Sequence, residues 1–449
     1  MDKKTITIAG GGSGYTPGII LTVLEQGSQF PIKEIRLYDI DPIRNCDMGI
    51  ILEYLLKRDG HDVNLVVTED PKLAFSGTDF IFSQIRAGGM EMREYDEKIP
   101  LKYGLVGQET CGLGGFSYGM RSMKSFLEMV GYIQKYAPEA WILNYTNPES
   151  IVSESVRRQF PSIKIINACD MTIGIEEMLE HSFGYNRKKF ISQYYGLNHF
   201  GWYREIYDVS KGKDIMPEII NKLIETGFDI SIQDASWGQA FKLMESMIKD
   251  FPTNLPNNYL EYYLYGNRVV AHEDPNYTRA NEIMDGRLTK IKETVAKIKE
   301  NRDLDTIDYQ GNGHGLYIVE IALSILHNKN DRFMLIVPNK GAIPNLRQDA
   351  VVEVPCYVNA KGAEPISLRQ DIPDFHKGLM EAQVAAEKLL VDAFFEQSYQ
   401  KALEAFTLNQ TVPNVDVAKA ILDEFIQVNG DYWVELKKEG SAVYELVNS

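Results

Sequence analysis

The stretch TITIAGGGSGYTPGIILTVLEQ, residues 5–26, decides the fold. A short β-branched run ends in glycines, the turn SGYTP follows, and the apolar segment GIILTVLEQ comes next. That order reads as strand, tight turn and helix. Gly10 and Gly12 fill the first two places of G-x-G-x-x-G, while Tyr15 stands at the third. Glycines there let the backbone approach a pyrophosphate, and the helix N-terminus offers free N–H groups and the positive end of its dipole. A second strand, EIRLYDID, ends with Asp39 and Asp41, about where an acid grips ribose hydroxyls. An acid there would repel a 2′-phosphate, so the pattern points to NAD rather than NADP. Gly10, Gly12, Ser13 and Asp39 are the candidate cofactor contacts; a plain strand–turn–helix corner is the alternative.

Working outward, further hydrophobic strands are expected at VNLVVT, DFIFSQIR, AWILNYTNP and IKIINACD, with helical stretches between several of them. Strands alternating with helices imply a parallel, doubly wound sheet whose ligands lie at the strands' C-terminal ends. Arg86, Asn144, Asn147, Cys169 and Asp170 all fall at such ends. Pro148 restricts Asn147 to an extended backbone, from which its amide can face a nicotinamide or a sugar hydroxyl. An ordinary turn asparagine is the competing reading. Past residue 195 the pattern shifts to longer helices, many aromatics and fewer strands. We therefore expect an α/β chain: a Rossmann-like doubly wound domain of the lactate/malate dehydrogenase kind over 1–195, and an α+β catalytic domain over 196–449. From His376 to about Phe406 the apolar spacing predicts one long helix, supporting the second domain or a subunit interface.

The bulk numbers narrow the class. A chain of 449 residues exceeds what one core usually organises. At 44% hydrophobic and 24% charged it reads as globular, and its apolar runs are too short for a membrane helix. The N-terminus passes straight into a strand, which argues against a signal peptide. A net charge of −16 argues against nucleic-acid binding, so an anionic small substrate needs a local basic pocket. Cys46, Cys111, Cys169 and Cys356 follow no zinc-finger or disulfide spacing. A reduced, cytoplasmic protein is the simple expectation.

Four segments concentrate chemistry. IRAGGMEMREYDEKIPLKYGLVGQETCGLGG, residues 85–115, carries two arginines, an acid pair and a glycine-rich end; it reads as an anion-binding loop that lids an active site. NACDMTIG places a thiol beside a carboxylate, YYGLNHFGW supplies His199, and PNNYLEYYLYG clusters tyrosines ahead of Arg279. A strand-end thiolate and a loop imidazole would suit a divalent transition ion with open positions for substrate oxygens. Taken singly, Cys169 reads better as a buried structural cysteine and His199 as a packing histidine.

Taken together, GGGSGYTP, the R-x-x-DE-x-x-P-x-x-x-G-x-x-GQET-x-G-x-GG stretch, TNP, NACDMTIGIE, GLNHFGW and YLEYY followed by TRANEIMDGR resemble glycoside hydrolase family 4. The resemblance runs from residue 5 to the C-terminal helices. It implies an exception to two-carboxylate glycoside hydrolysis. In that family NAD⁺ accepts hydride from sugar C3, which acidifies the C2 proton for removal by a base. A divalent ion, usually manganese, grips O2 and O3. The C1–O bond then breaks by elimination, water adds, and the first steps reverse without net redox change.

Carried over residue by residue, the resemblance implies Cys169 and His199 as metal ligands and Asp170 as the acid that protonates the leaving oxygen. It implies Tyr259 as the C2 base, with Tyr262 and Tyr263 as the alternatives if the alignment slips, and Glu109 as a helper that orients or activates it. Arg93, Asn147 and Arg279 match substrate-contacting positions, and an arginine pair would satisfy a sugar 6-phosphate. The Cys-Asp-Met order resembles the 6-phospho-α-glucosidases, which implies hydrolysis of 6-phospho-α-glucosides such as maltose 6′-phosphate. The alternatives are the β-specific enzymes of the same family, a lactate/malate-type dehydrogenase, and a noncatalytic NAD-responsive sugar-phosphate sensor. A phosphorylated disaccharide is the expected partner, in a homodimer or homotetramer.

Overall fold

The computed structural model describes residues 2–438 except 234 and 312; the last part of the expected second segment, 439–449, lies outside the described residues. Six strands come from the first half: β1 (Lys4–Ala9), β2 (Ile32–Tyr38), β3 (Asn64–Thr68), β4 (Phe80–Ser83), β5 (Trp141–Asn144) and β6 (Ile165–Ala168). They pair in parallel in the order β3-β2-β1-β4-β5-β6, the doubly wound dinucleotide order. The expected Rossmann-like sheet is therefore present, with its switch point between β1 and β4. Ile6, Ile8 and Ala9 of β1 are buried, as a strand covered on both faces by helices requires.

The second half adds β7 (Phe190–Leu197), β8 (Phe200–Asp208), β9 (Lys213–Asp214), β10 (Leu255–Pro256), β11 (Asp331–Pro338), β12 (Val351–Asn359) and β13 (Gly362–Pro365). These strands do not form a sheet of their own. β11 pairs antiparallel with β6, and β12, β7, β8 and β10 continue the same sheet outward. β7 itself straddles position 195. This shared sheet brings the carboxyl end of β6 close to the β7–β8 hairpin.

Two expectations are corrected. The segment 85–115 is not one lid loop: Gly89–Lys102 is a helix, entered through Gly88 at φ 79°, and a second helix starts at Gly112. The first helix has i,i+4 pairs, Arg93 with Glu97 and Glu94 with Lys98, each at 2.6 Å. Pro100 lies in its last turn; it removes one i→i−4 bond, and little helix follows it to be interrupted. Met90, Met92, Arg93, Asp96 and Glu97 are buried, and Asp96 is ion-paired with Arg121, so this segment is interior rather than a movable cover.

The long C-terminal helix is also two, Asp374–Glu396 and Tyr399–Leu408. Gln397 turns left-handed at φ 55°, and Ser398 caps the second helix by accepting from the Lys401 N–H. The fold-back packs Ala402, Ala405 and Phe406 in one core with Leu390, Ala393 and Phe116. Apolar periodicity continues through such a break because both helices bury the same kind of face. Phe116 and Ile151 bring the two first-half helices Gly112–Tyr136 and Glu149–Gln159 into that core. Among the described residues, no helix is long and apolar enough to cross a membrane.

Candidate active site

At the switch point, Gly10 has φ +83°, and a Cβ there would stand 2.9 Å from the Gln84 carbonyl oxygen. A Cβ on Gly12 would stand 2.8 Å from that of Arg44. Both glycines are therefore required by close approach. The Gly12 N–H donates to Asp39 Oδ2 at 2.9 Å, which ties the turn to the end of β2. Asp41 instead caps the helix Pro42–Arg58, accepting from the Ile43 and Arg44 N–H groups. Of the two candidate acids, Asp39 is thus the one held against the glycine turn. Ser13 completes that turn, its N–H donating to the Gly10 carbonyl at 3.0 Å.

Cys169 follows β6 directly, and Asp170 is the N-cap of the helix Met171–Phe183. His199 sits in the two-residue turn between β7 and β8, at φ 62°. That left-handed backbone is uncommon for histidine and is a sign of functional constraint. The shared sheet brings the two together, with Cys169 Sγ 3.4 Å from His199 Nε2. Sulfur and nitrogen ligands at ~2.3 and ~2.1 Å from one ion, roughly at right angles, stand about this far apart. The donor set therefore fits a divalent transition ion. Among the described residues no group of three or more His, Cys, Asp or Glu forms a complete metal cage. Two protein donors would leave positions open to substrate oxygens, as a catalytic site needs.

Thr110 Oγ1 lies 3.1 Å from the other ring nitrogen, His199 Nδ1, which orients the imidazole. GQET points to Glu109 and carries no signal for its neighbour Thr110. A threonine that hydrogen-bonds a ring 89 residues away has no local signature.

The Tyr259 ring meets His199 edge-on at 4.3 Å between centroids. Tyr262 lies behind it, 5.5 Å from Tyr259, and Tyr263 packs on Phe200 at 4.7 Å. Of the three tyrosines, Tyr259 is the one against the imidazole. Burial holds this part of the pocket in uncharged forms. It lowers the His199 pKa to about 3 and pushes the Cys169 thiol and the Tyr259 phenol well above their ordinary values; nearby acidic groups add to the last two. An ion at the thiol would reverse that balance by favouring the thiolate.

An adjoining wall, reached through Thr110 beside Glu109, is charged. Glu109 is ion-paired with Arg86 and, at 2.9 Å, with Arg93. Burial would raise its pKa, but the two guanidiniums outweigh it and hold the carboxyl below the ordinary range. Its oxygens are engaged by arginines, and no hydrogen bond joins it to Tyr259 among those described. Arg93 Nε also donates to Glu97 Oε1 at 2.6 Å, and the other Glu97 oxygen accepts from the Ala280 N–H at 2.8 Å. The backbone of Arg279, the neighbour of Ala280, therefore runs close to Glu97, and its side chain ion-pairs with Glu282 at 2.6 Å. Asn147 donates from Nδ2 to the Tyr145 carbonyl at 3.3 Å, while its buried Oδ1 has no hydrogen-bond partner among the described residues.

Asp170 faces a residue with no motif to mark it, His314, whose Nδ1 lies 2.6 Å from Asp170 Oδ2. Protein surrounds the carboxyl, yet its side chain is 39% exposed, as expected on a pocket floor open to solvent. Burial alone would raise its pKa, but the hydrogen bond and charge of His314 bring it below the ordinary value.

The family models match this chain in two stretches. Residues 5–184 match "Family 4 glycosyl hydrolase", and residues 194–412 match "Family 4 glycosyl hydrolase C-terminal domain". The chain belongs to glycosyl hydrolase family 4. Within this family, the maltose-6′-phosphate glucosidase of Clostridium acetobutylicum is 46% identical over 442 residues, covering 97% of this chain and 100% of that protein. A solved 6-phospho-α-glucosidase from gut microorganisms, in complex with NAD and Mn²⁺, superposes with a TM-score of 0.94 at 41% identity, covering 97% of this chain and 100% of that one. The family's 6-phospho-β-glucosidase from Thermotoga maritima, solved with NAD and glucose 6-phosphate, gives 0.82 at 26% identity, covering 97% and 100%. Lactate dehydrogenase from Eimeria maxima gives 0.52 at 16% identity over 88% and 96%, a likeness of fold alone.

Proposed function

We propose that this family 4 glycosyl hydrolase cleaves 6-phospho-α-glucosides, with maltose 6′-phosphate as the representative substrate. The observation that carries this function is the meeting of Cys169 and His199 at 3.4 Å, beside Asp170 and Tyr259, on the carboxyl edge of a dinucleotide sheet. When bound, NAD⁺ supplies reversible hydride acceptance at sugar C3 and a divalent ion, manganese in the likeness above, supplies Lewis acidity toward O2 and O3.

The chain's own residues do the rest. Gly10, Gly12, Ser13 and Asp39 hold the dinucleotide, and Cys169 and His199 hold the ion. Tyr259, on the imidazole side, removes the C2 proton. Asp170 delivers a proton to the departing glycosidic oxygen, and because His314 holds it toward the carboxylate, substrate binding must favour its protonated form. Asn147, with its unpartnered Oδ1, takes a sugar hydroxyl. Arg279 and Arg93 form the phosphate-binding wall, and Glu109 acts on the arginines, setting their positions rather than touching Tyr259. The α preference follows from the aspartate after Cys169 and from 46% identity to an α-specific relative against 28% to the β-specific enzyme of Thermotoga maritima. Residues 1–195 serve as the cofactor half and 196–449 as the substrate half, in a cytoplasmic homodimer or homotetramer.

The test is release of p-nitrophenol from the α- and β-glucoside 6-phosphates, with and without NAD⁺ and Mn²⁺, while absorbance of NADH is followed. Release from the α substrate that needs both additives, without NADH accumulation, is the expected result. Preference for the β anomer would move the chain to the other specificity; release only from unphosphorylated glycosides would remove the phosphate assignment.

A further inference from the structure

His314 enters the pocket at the first turn of the helix Gly313–His327. Its ring lies between two tyrosines, with centroids 4.6 Å from Tyr15 and 4.4 Å from Tyr145. The Tyr145 hydroxyl also donates to the His314 carbonyl oxygen at 3.1 Å. Arg287 rests over the Tyr15 ring, 4.6 Å from its centroid. An imidazole in contact with two rings and tied at its own backbone is restricted in orientation, and its Nδ1 lies 2.6 Å from Asp170 Oδ2. This arrangement also accounts for the tyrosine at the third fingerprint position. A glycine there would supply no ring to hold the imidazole.

We propose that His314, held between Tyr15 and Tyr145, is a positioning residue for Asp170 in glycosidic bond cleavage. The role rests on Asp170 being the acid. The Nδ1–H of His314 donates to Oδ2, which turns Oδ1 toward the substrate as the oxygen that carries the proton. As the C1–O bond breaks, its electron pair stays on the glycosidic oxygen and the Oδ1 proton moves there. The carboxylate left behind keeps the His314 hydrogen bond, which is stronger to a charged acceptor.

The experiment compares two substrates of the NAD⁺- and Mn²⁺-loaded enzyme. Maltose 6′-phosphate has a sugar leaving group that must be protonated; p-nitrophenyl α-glucoside 6-phosphate has one that leaves as the anion. Asp170→Asn should lower kcat on both, with a loss on maltose 6′-phosphate about a hundredfold the larger, within the range for acid catalysis. His314→Phe keeps an aromatic ring between the tyrosines and removes the donor, so it should show the same disparity, at about tenfold. His314→Asn, which retains an N–H donor near the Nδ1 position, should recover part of the difference. NAD⁺ binding followed by fluorescence and thermal melting checks the fold of each variant; if His314→Phe does not fold, His314→Gln takes its place. Equal losses on both substrates in the His314→Phe protein, alongside a disparity in Asp170→Asn, overturn the positioning role and leave the acid standing. His314→Asn as impaired as His314→Phe overturns the hydrogen bond as its basis. No disparity in Asp170→Asn removes Asp170 as the acid and the role of His314 with it.

Discussion

The two walls of the pocket are both buried but solve the problem of burial in opposite ways. On the Cys169–His199–Tyr259 side, Cys169 and Tyr259 share an apolar cluster with Met171, Ile336 and Val351, and desolvation keeps the thiol, the phenol and the imidazole neutral. On the Arg86–Glu109–Arg93 side, opposite charges meet and Glu109 stays ionised despite burial. Burial itself favours the neutral form on both walls; what differs is whether compensating charge comes with the protein. The neutral wall is suited to a cation brought from outside, and the charged wall supplies its own cations for an anionic substrate.

The contrast breaks most sharply at the thiol. Cys169→Ser replaces a soft donor with a hydroxyl and should lower kcat about a thousandfold or more, the scale of several kcal/mol of Lewis-acid stabilisation. Activity unchanged in that variant across a Mn²⁺ titration would remove the metal assignment.

On the charged wall the larger effect should be on stability. Glu109→Gln leaves buried guanidiniums short of a counter-charge, a loss of about 3 kcal/mol or more, read as a lower Tm or denaturation midpoint. It should also change the acid limb. A carboxyl whose folded pKa is depressed stabilises the fold above its unfolded pKa and loses that contribution as pH falls through the folded value. The wild-type protein should therefore lose more stability than Glu109→Gln below about pH 4.5. Parallel pH–stability curves for the two would show that the arginines do not hold Glu109 ionised.

Arg279→Ala tests the anionic ligand. It should raise KM for phosphorylated glucosides about ten- to a hundredfold, the effect of losing a charged hydrogen bond, with a smaller change in kcat. A KM unchanged by the substitution would take Arg279 out of the phosphate site. The smallest effect should come from Thr110→Val, which leaves the ligands in place but frees the His199 ring. About tenfold weaker Mn²⁺ activation is expected, without a change in maximal rate at saturating metal. An unchanged activation curve would mean that packing against Tyr259 alone orients the imidazole.

Much of the architecture is legible in the sequence because its signals are local. Alternating strands and helices, the glycine turn and the acid at the end of β2 each repeat a spacing that the backbone imposes. Misreadings came where two local signals competed. The arginines, the acid pair and the glycine-rich end marked 85–115 as a loop, while the i,i+4 charge pairs inside it made a helix. Continuous apolar periodicity hid the break at Gln397, where only the Ser398 cap spoke for a new helix.

The sequence by itself determined the dinucleotide sheet, the family, and the residue types at Cys169, Asp170, His199 and Tyr259, because these depend on short-range patterns in a fixed order. Tertiary structure alone decided which groups meet. Thr110 reaches His199 across 89 residues, and His314 reaches Asp170 across 144. Such pairs are set by the route of the sheet and by helix packing, and a hydrogen bond over that separation leaves no periodicity in the chain. The tyrosine where a third glycine was expected belongs to the same class: its departure was visible in sequence, but its partner was not.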